Sequence, residues 1–385
     1  MARIEEFLEE RREKNLLRVL RPASFRKKGK IYFKDKEYFD FSSNDYLGLA
    51  GHPKLKEASK KAIEELGTSS SASRLLSGDL EIHHELEEKT ALLKGKESAL
   101  VFNSGYQANV GIISSLCKEG DVIFSDKLNH ASIIDGILLS RAKPFRFIHN
   151  DLNHLESLLK KEAGKFRERL IVTETIFSMD GDRAPLKEMV SLKEKYGCKI
   201  MVDEAHATGI FGKGGGGIVA EDGLADRVDL IMGTFSKALG SFGAYIAGSK
   251  KMIEYLINTC RSFIYSTALP PSVIAANLVS LELLKEEPFR RKTLLENAHY
   301  FRNELEKRGF KIKGSSQIVP LVVGNIDRAI KLSAGLRDKG YWSLPIRPPT
   351  VPVGESRLRF SLTYHHSKEV LQNLIEEISK VSCIY

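Results

Sequence analysis

Four short segments of this chain carry side chains that could do chemistry together. One is Gly233-Thr234-Phe235-Ser236-Lys237-Ala238-Leu239-Gly240, a lysine among small residues after the apolar run Leu230–Met232. A second, Met201-Val202-Asp203-Glu204-Ala205-His206, closes an apolar run on an acid. The others are Phe102-Asn103-Ser104-Gly105-Tyr106-Gln107-Ala108-Asn109 and Asp126-Lys127-Leu128-Asn129-His130-Ala131-Ser132, each placed where a strand gives way to a helix.

Taken singly, each has a plain structural explanation. Lys237 could be a solvated loop residue, Asp203 could cap a turn, and a lone histidine is usually structural. The pairing changes the reading: Asp203 lies 34 residues before Lys237, one predicted strand over. Pyridoxal 5'-phosphate (PLP) needs a lysine amine to hold its aldehyde as a Schiff base. It also needs a carboxylate to keep the pyridine nitrogen protonated, so that the ring can accept carbanion electrons. A helix beginning near Gly105 offers unpaired N–H groups and a positive dipole end to a phosphate, and glycine lets the backbone come close. The ring of His130 could stack on the pyridine face and serve acid–base chemistry near neutral pH. The Gly214–Gly217 run follows no strand, is no dinucleotide fingerprint and is expected to be a flexible loop.

These segments need a scaffold. From Gly67 to Ala247 short apolar runs alternate with helical patterns: Ser98–Phe102, Asp121–Phe124, Leu170–Thr173, Ile200–Val202 and Leu230–Met232 read as buried strands. That alternation predicts an α/β fold with a mostly parallel sheet flanked by helices, whose ligands sit at the carboxyl ends of the strands. An amphipathic N-terminal helix is expected to end near Pro22, and Lys30 to Phe41 alternates like a hairpin. The last hundred residues read as a smaller α+β domain: a long helix over Ser272 to Arg308, then Ile318–Val323, a helix near Arg328–Lys339, Trp342–Ile346, Arg357–Leu362 and a final helix Glu369–Lys380. The expected division is 1–45 for the N-terminal helix and hairpin, 46–275 for the large domain and 276–385 for the small one.

Composition excludes other classes. Lys and Arg number 59 against 50 Asp and Glu, a net +9, but the bases are interleaved with acids and form no block of the kind that binds nucleic acid. No apolar run approaches the ~18 residues of a membrane span. Cys117, Cys198, Cys260 and Cys383 are far apart with no CxxC pair, so neither a metal site nor a disulfide framework is expected, in keeping with a reducing cytoplasm. The first fifteen residues, rich in Glu and Arg, are not those of a signal peptide.

Together the four segments resemble the fold-type I PLP enzymes, and within them the α-oxoamine synthases, from about residue 3 to residue 380. That family joins an amino acid to an acyl thioester with loss of carbon dioxide. The resemblance also rests on Phe41-Ser42-Ser43-Asn44-Asp45-Tyr46-Leu47-Gly48, Phe177-Ser178-Met179-Asp180-Gly181-Asp182 and Asp203-Glu204-Ala205-His206-Ala207-Thr208-Gly209. Two later segments, Ile264-Tyr265-Ser266-Thr267-Ala268-Leu269-Pro270-Pro271 and Ile346-Arg347-Pro348-Pro349-Thr350-Val351-Pro352, narrow it to the branch that uses L-alanine with pimeloyl-CoA or a pimeloyl-acyl-carrier protein. The serine-rich loop 67–74 and the bulky segment Ser361-Leu362-Thr363-Tyr364-His365-His366 depart from the family pattern.

The resemblance implies roles. Lys237 holds the cofactor, Asp203 pairs with the pyridine nitrogen, His206 bonds the phenolic oxygen and His130 stacks on the ring. Gly105, Tyr106, Ser178 and Thr234 complete the cofactor site. Ser266 and Thr267 reach the phosphate of a partner subunit, which implies a homodimer with the active site at its interface. Arg347 grips the amino-acid carboxylate with Asn44 beside it, while Arg18 and Thr350 line the acyl path, with Arg21 a second candidate for Arg18's part. The rival branch condenses glycine with acetyl-CoA. A non-catalytic binding protein of the same fold would need no set of Lys237, Asp203 and His130.

Overall fold

The computed structural model describes residues 2–34 and 36–383. They group into two compact units, residues 1–48, 179–182 and 292–385 in one, and residues 49–178 and 183–291 in the other.

The first unit opens with helix Ala2–Glu13. The apolar periodicity runs on to Leu20, but the helix stops early. Asn15 takes a left-handed φ of 54°, and the Leu16 N–H turns back to the Arg11 carbonyl, a terminus of the kind asparagine tolerates. Strands β1 (Phe25–Lys27), β2 (Lys30–Phe33) and β3 (Lys36–Asp40) form the expected antiparallel hairpin with one added strand.

The second unit holds the central sheet. Its strands in chain order are β4 (Ser98–Phe102), β5 (Val122–Asp126), β6 (Lys143–Phe147), β7 (Arg169–Glu174), β8 (Lys199–Asp203), β9 (Leu230–Thr234) and β10 (Ala244–Gly248). The spatial order is β4-β10-β9-β8-β7-β5-β6; β10 runs antiparallel to both neighbours and the remaining pairs are parallel. The five expected strands are present. Their near-continuous apolar runs arise because both faces are covered: Phe124, Ile171, Val172, Met201, Val202 and Ile231 are fully buried. On one face, Ile112 and Ile113 of helix Gly105–Leu116 and Ile133 and Ile137 of helix Ala131–Ser140 pack on Phe102, Val172, Met201 and Met232. Strands β6 and β10 escape the sequence pattern. β6 is an edge strand with exposed Lys143, Pro144 and Arg146, where a proline is tolerated; three of β10's five residues are Ala or Gly.

Pro288 divides the long helix expected over Ser272 to Arg308. It lacks an N–H and pushes Glu287 out of the helical region, to φ −121° and ψ 53°, so the chain forms helices Pro271–Glu286 and Phe289–Lys307. The later part of the first unit follows: β11 (Ile318–Gly324), helix Ile326–Asp338, β12 (Tyr341–Trp342), β13 (Pro345–Ile346), β14 (Ser356–Ser361) and helix Lys368–Ser382. β12 joins the N-terminal sheet parallel to β3, and β11, β14 and β13 make a three-stranded antiparallel sheet.

Candidate active site

The carboxyl ends of β8 and β9, which are adjacent parallel strands, bring the acid and the lysine together. Asp203 is the last residue of β8 and is 5% exposed. Its Oδ1 accepts the Ala205 N–H at 2.8 Å and its Oδ2 accepts Asn109 Nδ2 at 2.9 Å, so both oxygens are held. The turn-capping explanation of Asp203 is therefore true of one oxygen and does not exhaust the residue. Three residues on, His206 places Nε2 3.0 Å from Lys237 Nζ. The lysine rides on the return from β9 to β10, which is closed by the Phe235 N–H to the Gly243 carbonyl and the Gly240 N–H to the Lys237 carbonyl.

Helix Gly105–Leu116 follows β4, with Ser104 as its N-cap accepting the Gln107 N–H. The N–H groups of Gly105 and Tyr106 lie at the open end of that helix. A Cβ on Gly105 would come 2.8 Å from Thr234 Cγ2, so glycine alone allows the helix end to close on β9. Thr234 Oγ1 is buried there without a hydrogen-bond partner. His130 caps helix Ala131–Ser140 through its ring and lies T-shaped to Tyr106, centroids 6.4 Å apart; the Tyr106 hydroxyl donates to Asp135. Groups packed around the His130 ring desolvate it and lower it below the usual imidazole value, against the pull of Asp203's charge, although the residue keeps an exposed side.

These features fit PLP. An amine, an anchored carboxylate, an orphaned buried hydroxyl and a helix end cleared of side chain are the groups that an aldehyde, a pyridine nitrogen and a phosphate require. Ser178 lies four residues past Glu174, whose carboxyl is fully buried; burial first and Asp203's charge second raise it well above the carboxylate range. Ser266 Oγ accepts Gln107 Nε2 at 2.6 Å and the Thr267 carbonyl accepts Asn103 Nδ2 at 2.9 Å, so both stand beside the start of the Gly105 helix of their own chain.

The four substrate candidates belong to the other unit. Arg18 Nη2 donates to Thr350 Oγ1 at 3.3 Å. Arg347 donates to the Asn15 carbonyl, and burial together with Arg18's charge lowers its pKa. Arg21 instead stands over the Trp342 ring at 5.8 Å, so Arg18 is the one that meets Thr350. Asn44 Oδ1 accepts the Arg359 guanidinium at 3.4 Å, and Arg359 also donates to Tyr46 OH at 3.2 Å. Arg359, 8% exposed, was not among the expected site residues; the signal was an arginine inside a short strand-like run, which the fold buries along its whole length.

A matching model for aminotransferase class I and II spans residues 36–378. The chain belongs to the class I and II aminotransferase family. It is 48% identical over 379 residues, 98% of this chain and 96% of the other, to an 8-amino-7-oxononanoate synthase of Geotalea daltonii. A serine palmitoyltransferase from S. paucimobilis with a bound PLP–myriocin aldimine superposes with a TM-score of 0.91 at 30% identity, over 99% of this chain and 97% of that one. An 8-amino-7-oxononanoate synthase from Francisella tularensis superposes with a TM-score of 0.77 at 31% identity, over 89% and 97%. Within the aminotransferase family this is a fold-type I, PLP-dependent acyltransferase of the α-oxoamine synthase group.

One network in this aminotransferase-family chain was invisible at the level of motif. Lys94 and Glu204 are both 0% exposed and paired at 2.6 Å. Lys94 Nζ also donates to Thr208 Oγ1 at 2.9 Å and to the Gly216 carbonyl at 2.7 Å, which uses its three hydrogens. Glu204 Oε1 takes the Val219 N–H. The glycine run is therefore no flexible loop: Gly215, Gly216 and Gly217 are buried over this pair, and a Cβ on Gly217 would fall 2.1 Å from Glu204 Oε2. Glu204 lies between Asp203 and His206, so the pair anchors the turn that carries both. Lys94→Met is expected to leave a buried carboxylate unpaired and to cost about 3–5 kcal/mol of unfolding free energy in a urea titration. A loss under about 1 kcal/mol would show that the pair does not hold the turn.

Proposed function

We infer that this chain condenses L-alanine with a pimeloyl thioester, giving 8-amino-7-oxononanoate, carbon dioxide and the free thiol. The observation that carries the reading is Lys237 Nζ within 3.0 Å of His206, on the strand end next to a carboxylate held at both oxygens. The name of the Geotalea daltonii relative supports the choice of substrates. When bound, PLP supplies an aldehyde for the amines and an electron-accepting ring. Asp203 holds the proton at the pyridine nitrogen. Lys237 Nζ removes the proton from the alanine Cα and returns one at the end. The net change joins that carbon to the pimeloyl carbonyl carbon and breaks one C–S and one C–carboxylate bond.

Substrate anions are assigned to the other unit. Arg347 and Arg18 repel each other, and a carboxylate bound at either relieves that repulsion. A cleft of about 1080 Å³ lined by Arg18, Arg21, Arg337 and Arg347 with Phe33 and Trp342 suits an aliphatic chain ending in a charge. Arg347 and Asn44 take the alanine carboxylate, with Arg359 behind Asn44; Arg18, beside Thr350, takes the distal carboxylate of pimelate. A charge-assisted bond of that kind is worth roughly 1.5–3 kcal/mol, on the order of tenfold to a hundredfold. Arg18→Ala is therefore expected to weaken pimeloyl-CoA use by that factor and leave acetyl-CoA use nearly unchanged. Equal loss with both donors would overturn this account of selectivity.

The deciding experiment offers alanine or glycine with pimeloyl-CoA or acetyl-CoA and identifies the products by mass spectrometry. Product from alanine and pimeloyl-CoA supports the reading, and a preference for glycine and acetyl-CoA replaces it with the rival branch. A pimeloyl-acyl-carrier protein is the alternative donor. A homodimer is part of the proposal: Leu76, Leu138, Leu139 and Tyr265 of the second unit are all more than 60% exposed in the single chain. Sedimentation velocity is expected to give a dimer; a fully active monomer would remove that part. Among the described residues no helix is long and apolar enough to cross a membrane, and a cytoplasmic site of action completes the proposal.

A further inference from the structure

Four side chains at the cofactor site form one hydrogen-bond chain whose donor directions are set from its two ends, by the Asp203 carboxylate and by the Ser132 backbone N–H. Asn109, 1% exposed, lies on the Gly105 helix with Nδ2 2.9 Å from Asp203 Oδ2 and 2.9 Å from Ser132 Oγ. Facing an acceptor oxygen of Asp203, only the amide nitrogen serves, because oxygen against oxygen would leave no proton between them. Asn109 Oδ1 has no partner, so nothing on its far side favours the opposite orientation. Both amide hydrogens are therefore committed, one to Asp203 and one to Ser132. Ser132 Oγ also lies 2.8 Å from His130 Nδ1; a hydroxyl has one hydrogen and two lone pairs, so the state of the ring nitrogen decides which way this contact runs. The backbone N–H of Ser132 points at the same nitrogen from 3.3 Å, because His130 caps the helix that begins at Ala131. A backbone N–H cannot reverse its direction, so the ring nitrogen it meets carries no proton, and the Ser132 hydroxyl hydrogen then turns to that nitrogen as well.

We propose that Asn109 and Ser132 are positioning residues that lock His130 as the neutral tautomer protonated on Nε2. The tied edge of the ring faces the helix, while His130 itself is exposed. Resting on the proposed reaction, its one N–H then serves as a hydrogen-bond donor to a substrate oxygen, the thioester carbonyl or the ketone oxygen that follows from it. It cannot take the Cα proton at Nε2, so that task stays with Lys237 Nζ. The same helix end that caps Nδ1 disfavours a charged ring.

The test is made on PLP-loaded enzyme labelled with ¹⁵N-histidine. Two-bond ¹H–¹⁵N correlation spectra at neutral pH distinguish protonated from unprotonated ring nitrogens, and the His130 signals are those lost in His130→Gln. An unprotonated Nδ1 with a protonated Nε2 is expected; a proton on Nδ1, alone or in a doubly protonated ring, overturns the proposal. This spectrum is independent of turnover, so it stands even where the substrate assignment falls. In a second arm Ser132→Ala is expected to lower kcat roughly fivefold to tenfold, the weight of one neutral hydrogen bond. The KM for alanine and the absorbance of the bound cofactor stay as in the wild type, and Ser132→Thr restores the rate. An unchanged kcat in Ser132→Ala overturns the positioning role.

Discussion

Lys237→Ala is expected to abolish turnover, lowering kcat roughly 10⁴-fold or more, because the substitution removes at once the cofactor's covalent attachment and the proton carrier at the alanine Cα. His206 does not replace it: its Nε2 lies 3.0 Å from the amine and is placed to orient it. The variant should still fold, since the return that carries Lys237 is closed by backbone hydrogen bonds. The matching chemical test is borohydride reduction of wild-type enzyme followed by peptide mapping. PLP is expected on the peptide containing Lys237, and a label on any other lysine would sink the central assignment.

Asp203→Asn comes next in size. An amide cannot hold the pyridinium proton by charge, so the carbanion loses its electron sink. The local geometry adds a second penalty. Asp203 accepts the Ala205 N–H on one oxygen and Asn109 Nδ2 on the other; an asparagine must turn its NH₂ group toward one of these donors. That mismatch is expected to cost about 1–3 kcal/mol of stability, seen as a lower unfolding midpoint, with kcat down roughly 10²- to 10³-fold. Turnover near wild type in this variant would refute the carboxylate's role.

The strand ends were legible in the sequence because the parallel sheet is buried on both faces. An apolar run that stops at an acid or a small-residue loop marks where side chains reach the ligand-bearing edge. Lys237, Asp203, His206 and His130 could be found that way. Asn109 and Ser132 stood inside the same motifs without a role, since their function is set by which atoms face which across two helix starts. Lys94 and Glu204 lie 110 residues apart, and nothing in the local pattern of either shows that they are paired. Arg359 lies in the expected segment Arg357–Leu362 with no role attached; its burial beside Asn44 and Tyr46 comes only from the folded unit. The early stop of the first helix at Asn15 and the break at Pro288 show the reverse, local backbone chemistry overriding an apolar period that continued past both.

The position of β4 at the edge of the sheet bears on synthesis of the chain. β4 leads straight into the helix end at Gly105, and its sheet partner is β10, with Ala99 facing Ala247 and Phe102 facing Ala244. Asp203 and Lys237 can be brought side by side once β8 and β9 exist, but the strand that leads into the Gly105 helix end must wait for a partner made some 140 residues later. A contact so distant along the chain closes slowly and carries a large loop entropy. On the ribosome, the segment through Phe102 has no ladder partner until Gly248 has emerged, so the nascent chain is expected to carry an unpaired apolar strand in the interval and to complete this helix end only after β10 is made.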